Sequence, residues 1–448
     1  MVKRVTEFLN TVKDKFRKDD EAFRRARLAL LDYLGVTSVG YKENFLMEWA
    51  RNKEVLSNKT ISTIIGIKLT NDASNAALIN GISAHVLDFD DSLLEIPSHS
   101  TAVLMSAGMA ISEEANSSIQ DFLEAYILGI EFQSRIAKLL KDEFKTKAWH
   151  PTSVLGSLGS TIVCATILKF DEDELNMGLG IASSLASGLK ANFGTMAKPF
   201  QVGWAAKTGI VSCNAVRAGI TANKNTIFDK YGFLTAFGGI VQAEGDIVGG
   251  DSLAIINPGL YIKPYPCCAS THSSIDASLD LVKTSTMDVS EIKQVTCFLD
   301  ERRSGYIDRP QPKNELEAKF SIQYCIAAAL TDGRVGLDTF TFNRFKDEKL
   351  HRLMEKICVK SSRSEEISRE FMSTVIVEMK DGMVKKADLS SPRGLGNHQP
   401  ESIINKFYSC ITKYFPLSVA DQVKKIVMEE EYKYHPVNLI GNLFRSLM

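Results

Sequence analysis

The chain has 448 residues, with 53 Lys and Arg against 54 Asp and Glu, a formal net charge of −1. That balance lacks the basic excess a phosphate backbone demands, so nucleic acid is not an expected partner. No run of about 18 uncharged apolar residues occurs, so no membrane span is expected either.

The opening stretch, MVKRVTEFLNTVKDKF, contains no apolar h-region, and no secretory signal is expected. The eight cysteines lie apart except for Cys267-Cys268 and form no CxxC pattern. They read as reduced thiols of a cytoplasmic protein, with no zinc site.

Helical spacing begins at DEAFRRARLALLDYL, Asp20 to Leu34, with Gly35 as the expected stop. A second helix is expected from Asn71 to Leu87, opened by the Asn-Asp cap. It leads into HVLDFDDSLLEIPSH, where Asp88, Asp90 and Asp91 crowd between two histidines. An ionised carboxylate beside a buried helix is costly unless paired. The stretch therefore binds a cation, orients a donor or moves a proton. Read as helix, His85 and Asp88 share a face. His99 precedes a helix expected over Thr101–Glu113, where the dipole favours a neutral imidazole and a nearby anion.

Ser118 caps a helix over Ile119–Leu140. His150-Pro151-Thr152 repeats the local design of His99: a histidine just ahead of a helix rich in small residues, Thr152–Leu168. Two such histidines suggest two helix N-termini facing one anion. Leu175–Leu189 and Trp204–Ala222 share that Gly/Ala/Ser texture, which lets helix backbones approach closely. Between them lies KANFGTMAKPF, which places Lys198 in a small-residue environment as a candidate carboxylate-binding cation.

Lys263-Pro264-Tyr265-Pro266 cannot continue a helix and marks a change of texture. Strands are expected at Gln294–Leu299, Thr374–Met379 and Met383–Leu389, the last two joined by a hairpin at Asp381-Gly382. Helices at Ile275–Val282, Lys319–Leu330 and Lys346–Ile357 alternate with them. Beyond Pro392–Gly396 the chain turns helical again, at Ser402–Lys413 and Val419–Met428. The fold class is thus mainly α: a large all-helical domain with an inserted, smaller α+β lid domain. The expected division is 1–262, 263–396 for the lid, and 397–448 returning to the helical domain. Lys263 and Arg309 are further candidate cations, and Tyr324 is either a core aromatic or a hydroxyl donor.

Five segments in order resemble the MmgE/PrpD family: AHVLDFDDS followed by His-Ser, WHPTSVLGSLGS, GLKANFGTMAKPFQVGWAAKTG, KPYPCCASTHSSID and DRPQPKNELEAKFSIQYCIAAAL. That family includes 2-methylcitrate dehydratases, cis-aconitate decarboxylases and an iminodisuccinate epimerase. The resemblance implies a cofactor-free homodimer with a helical domain, a smaller lid and a site between them. It puts site roles on Asp88, Ser92, His99, His150, Lys198, Lys263 and Tyr324. Ser92 stands where the decarboxylase branch has threonine, and His-Ser replaces the usual His-Pro at His99-Ser100. Cys268 takes the place of a histidine in that branch, and His272, four residues on, is the nearest substitute.

The expected activity is a lyase reaction on a small di- or tricarboxylate, 2-methylcitrate dehydratase-like in the first place. Cis-aconitate decarboxylase-like and iminodisuccinate epimerase-like chemistry are the alternatives. His99 is the expected acid/base, with Asp88 orienting it or its neighbours, His150 as its partner and Tyr324 as a hydrogen-bond donor. Lys198, Lys263, His272, Arg309 and Ser92 bind substrate, and no metal or cofactor is required. Competing readings take Asp88-Phe89-Asp90-Asp91 as a terpene-cyclase acid motif, for which 8% aromatics is too few to line the cavity, or as a divalent-metal site. A last one takes the chain as a non-catalytic paralogue that binds a polycarboxylate.

Overall fold

The computed structural model describes residues 3–17, 20–52, 61–93, 98–140, 144, 148–239, 252–284, 287–362, 371–395 and 399–446. The chain divides into two compact units, Met1–Ile262 with Gly396–Met448, and Lys263–Leu395. The expected boundary at 396/397 lies outside the described residues. So do residues 94–97 of the acid-rich stretch.

The first unit is built of helices. α1 (Lys3–Phe16) buries Val5, Phe8, Leu9, Val12 and Phe16, the i, i+3, i+4 spacing of a helix with one apolar face. α2 spans Asp20–Gly40, so the helix does not stop at Gly35. A Cβ at Gly35 would lie 3.2 Å from the Cα of Phe407, so this glycine serves a close helix crossing rather than a C-cap. α3 (Asn44–Ala50) precedes a short hairpin, β1 (Ser62–Ile64) with β2 (Leu69–Asn71).

α4 (Ala73–His85) is capped by Asp72, which accepts from the Asn75 N–H at 3.0 Å. After it come β3 (Ser92–Leu93), α5 (Ser100–Ala115), and α6 (Ile119–Leu139), which is capped by Ser118. α7 (Pro151–Ile167), α8 (Glu172–Leu185) and α9 (Ala197–Arg217) complete the small-residue helices. The unit then pairs β4 (Leu260–Tyr261) with β3, Ser92 opposite Tyr261.

Small residues bring two of these helices into backbone contact. Where α4 crosses α9, a Cβ on Gly203 would come 2.2 Å from the Leu78 carbonyl oxygen, and one on Gly81 would come 2.7 Å from the Gly203 Cα. This crossing sets the C-terminal end of α4, with His85, beside the N-terminal turn of α9, with Lys198.

In the second unit, α10 (His272–Thr284), β5 (Ile292–Asp300), α11 (Glu301–Ile307), α12 (Ile322–Asp332), α13 (Glu348–Met354), β6 (Ile357–Ser362), β7 (Ser373–Met379) and β8 (Val384–Leu389) make an α+β fold. The sheet order is β6-β5-β7-β8, with β5/β6 parallel and the other pairs antiparallel. Val295, Cys297, Leu299, Val375 and Val377 are buried on the strands, and Ile275, Leu279, Ile326 and Leu330 are buried on the helices. The expected helix over Lys346–Ile357 ends at Met354. From Ile357 the chain is instead a parallel partner of β5, Ile357 opposite Val295.

Back in the first unit, α14 (Pro400–Ile411) packs on α2, followed by α15 (Leu417–Met428) and α16 (Asn438–Ser446). No helix among the described residues is long and apolar enough to cross a membrane.

Candidate active site

The loop between α4 and β3 carries the chemistry. The helix ends at His85, and Asp88 has a left-handed backbone, φ 53°. His85 and Asp88 therefore do not share a helix face: the turn sends the acids in separate directions. Asp88 pairs with the Lys198 ammonium, both groups being buried. Asp90 turns toward the histidines. Its Oδ2 lies 2.8 Å from His85 Nδ1 and 3.4 Å from His99 Nδ1. The carboxylate beside His99 is thus Asp90, not Asp88 as the sequence suggested.

Asp91 goes a third way, accepting from the Thr101 hydroxyl at 2.5 Å, with the Tyr126 hydroxyl 2.7 Å from the same Thr101 oxygen. Helix α14, from the returning C-terminal segment, braces this loop. Lys406 lies 2.7 Å from the Asp32 carboxylate on α2 and donates to the Phe89 carbonyl at 2.6 Å.

His99 and His150 are the N-caps of α5 and α7. The two helix starts are tied together, because the His99 backbone N–H donates to the Thr152 hydroxyl at 3.0 Å. The His85 ring lies between the others, 4.6 Å from the His99 ring and 6.3 Å from that of His150. The Phe193 ring joins the remaining members, 5.0 Å from His150 and 5.4 Å from the Lys198 Nζ. His99, His150, Asp88 and Lys198 are brought together in the first unit, with Ser92 half-buried on β3 next along the chain.

The hydrogen bonds assign the tautomers. His99 Nδ1 is 2.7 Å from the Asp91 carbonyl oxygen, which only accepts, so Nδ1 carries the hydrogen. His85 Nδ1 faces a carboxylate and must likewise donate. His150 Nδ1 is 2.7 Å from Gln201 Oε1, and the Gln201 amide donates to the Leu189 carbonyl at 3.3 Å, which fixes the oxygen toward the imidazole. All three imidazoles thus keep their basic lone pair on Nε2. Of the three, only the His99 side chain has real access to solvent, 15% against 0% for His85.

Electrostatics follow from burial. Desolvation pushes the His85 imidazole down to about 3 and holds His150 well below its ordinary value, with Lys198 adding to both effects. Burial works against ionisation of Asp90, but the His85 and His99 rings beside it hold its carboxyl well below the usual range. Burial carries Asp91 the other way, up to about 8, with Asp32 and Asp90 adding to the shift.

His85, Asp90 and His99 offer three ligand atoms within 4.8 Å of one another, close enough for a metal ion. Both Nδ1 atoms, however, carry hydrogens engaged by oxygen acceptors, and a cation would have to displace them. As it stands, the cluster is held together by hydrogen bonds.

The remaining expected residues belong to the second unit. Lys263 is buried. Cys268 donates its N–H to the Lys319 carbonyl at 3.0 Å. His272 is buried at the start of α10, its Nε2 3.1 Å from the Cys267 carbonyl and its ring edge-on to Tyr265 at 5.2 Å. Arg309 is half-buried, donates to the Tyr306 carbonyl at 3.2 Å and lies over the Phe320 ring. Tyr324 is buried between Phe340 and Phe345 and donates to the Thr339 carbonyl at 2.6 Å. Sequence reasoning assigned no role to His85, Asp90, Gln201 or Thr152. The signal for the first two was present in HVLDFDD, but which acid meets which histidine depends on a turn that spacing does not reveal.

The helical unit thus gathers three imidazoles, a shared carboxylate and a buried ammonium, an arrangement able to move protons next to an anion. The chain belongs to the MmgE/PrpD family: residues 6–244 match the MmgE/PrpD N-terminal domain and residues 265–431 the MmgE/PrpD C-terminal domain. It is 27% identical over 350 residues to cis-aconitate decarboxylase of Homo sapiens, covering 75% of this chain and 72% of that one. It is 25% identical over 442 residues to cis-aconitate decarboxylase of Aspergillus terreus, covering 91% and 89%. Against 2-methylcitrate dehydratase of Escherichia coli it is 23% identical over 469 residues, covering 94% and 93%.

Proposed function

We propose that this chain is a lyase that breaks a bond next to a carboxylate of a small di- or tricarboxylate, with decarboxylation of cis-aconitate the first reaction to test. The observation that carries the reading is the solvent-reaching imidazole of His99, held through Nδ1 so that Nε2 is free to exchange a proton. In decarboxylation the C–CO2 bond breaks and its electron pair passes into the carbon skeleton. The proton that quenches it is first taken from water at His99 Nε2, so that the imidazolium is the donor and Nε2 returns to its lone-pair form after the transfer. Lys198 binds a substrate carboxylate, in competition with Asp88, and the N-termini of α5 and α7 favour a second one. Lys263 is the proposed cation from the second unit, with Ser92, His272 and Arg309 as further binding residues. Tyr324 donates its hydrogen bond only if Thr339 releases it.

Dehydration of 2-methylcitrate is the second reading, favoured by Cys268 and Ser92, which depart from the decarboxylase pattern. There His99 Nε2 takes a C–H proton, and His150, which gains a proton at Nε2 when the substrate carboxylate binds beside it, gives that proton to the departing hydroxyl, which leaves as water. The two are separated by incubating the purified chain with cis-aconitate, 2-methylcitrate and iminodisuccinate. Release of carbon dioxide, appearance of alkene absorbance and solvent-proton exchange at carbon are followed separately. Carbon dioxide in step with loss of cis-aconitate is the expected result. No turnover of any polycarboxylate by folded protein, with one bound tightly, would favour a non-catalytic binder.

A further inference from the structure

Proton exchange at His99 leaves His85 unexplained. A histidine with no access to solvent, at the end of an apolar helix, is an expensive residue unless its hydrogens are engaged. Its Nδ1–H is engaged by Asp90 Oδ2, the same atom that lies 3.4 Å from His99 Nδ1. Its Nε2 is buried with no partner among the described residues.

We propose that His85 is a positioning residue for His99. By donating its Nδ1–H to Asp90 it fixes that carboxylate 3.4 Å from His99 Nδ1 and takes up part of its accepting power, while the Asp91 carbonyl accepts the His99 Nδ1–H. This rests on the reading of His99 as the acid/base, and it concerns a residue that touches no substrate.

The physical case is one of sharing. A buried carboxylate with a single imidazole neighbour forms a tight pair that holds its proton and does not release it near neutral pH. A second imidazole donating to the same oxygen stabilises the carboxylate in its ionised form and weakens that hold. The other groups around His99 do not substitute. The Asp91 carbonyl accepts from His99 without competing for Asp90, and Thr152 engages only the His99 backbone. Asp88 is paired with Lys198, the Asp91 carboxyl is held by Thr101, and His150 is turned to Gln201.

The test is the titration of the histidine ring carbons by NMR, in the full chain carrying ring-labelled histidine, of which there are seven. Replacing His85→Phe keeps a ring in the space and removes the donor. The midpoint seen at His99 should then rise by about one pH unit. Replacing His85→Asn restores an N–H at the Nδ1 position and should return the midpoint to that of the unaltered chain. Asp90→Asn should lower it. In the turnover assay, the limb of the kcat profile set by His99, alkaline for decarboxylation and acid for dehydration, should follow the same order. A midpoint in His85→Phe equal to that of the unaltered chain, or no return in His85→Asn, would overturn the proposal. An unmoved midpoint in Asp90→Asn does the same should His85→Phe fail to fold. The titration needs no substrate, so missing turnover counts against the lyase reading while the NMR result still decides the role of His85.

Discussion

Asp88 and Lys198, 110 residues apart in the chain, meet in a buried ion pair at the point where α4 and α9 cross. Removing one partner leaves a buried charge without this counter-charge. Lys198→Met should destabilise the chain by about 3–5 kcal/mol. The double variant with Asp88→Asn should recover most of that, since asparagine also tolerates the left-handed backbone found there. Polycarboxylate binding should be lost in both. Urea unfolding and isothermal titration read the two effects separately, and Lys198→Met with unchanged stability would refute the pairing.

The helix order, the texture change at Lys263 and the α+β character of residues beyond it are legible in the sequence, because caps, apolar periodicity and prolines are local signals. Asp72, Ser118 and the Asp381-Gly382 turn act where local chemistry predicts. What escapes is long-range. Gly35 reads as a stop but is a contact point for α14. Ile357 reads as the end of a helix but opens a strand, Ile357–Ser362, that pairs with β5. Asp90 rather than Asp88 meets the histidines, because one residue with positive φ turns the first acid toward α9 and leaves the third to Thr101.

Burial keeps His85 and His150 neutral at pH 7 in the absence of a ligand. A substrate carboxylate beside them stabilises the charged imidazole and raises these values, so the complex holds more protons than its parts. Binding of a polycarboxylate should therefore be accompanied by proton uptake and weaken as pH rises. Calorimetry in buffers of different ionisation enthalpy measures this directly. Heats independent of the buffer would contradict it.

Asp91, raised to about 8 in the folded chain against 3.8 for the free side chain, holds its proton when folded and loses it when unfolded between those values. The unfolded state binds fewer protons there, so this group's contribution to stability falls as pH rises from about 4 to 8. Asp91→Asn imitates the protonated form. It should flatten the decline and raise stability at pH 8 by about 1 kcal/mol or more. Melting curves at pH 6, 7 and 8 would show it, and parallel declines in the two proteins would refute it.

The Nδ1 hydrogens of His85 and His99 are committed to oxygen acceptors, so the cluster does not need a metal. Turnover should survive prolonged chelation, and metal analysis of the purified chain should find no stoichiometric ion. Loss of activity on chelation, restored by one particular divalent cation, would replace the hydrogen-bond reading with coordination through His85, Asp90 and His99.

The central claim is that His99 Nε2 exchanges the proton with substrate carbon. Its most direct test is turnover by His99→Ala, with far-UV circular dichroism and melting temperature as controls on folding. The account predicts an unchanged fold and a loss of at least about a hundredfold in kcat. A folded His99→Ala chain with near-normal kcat would contradict it.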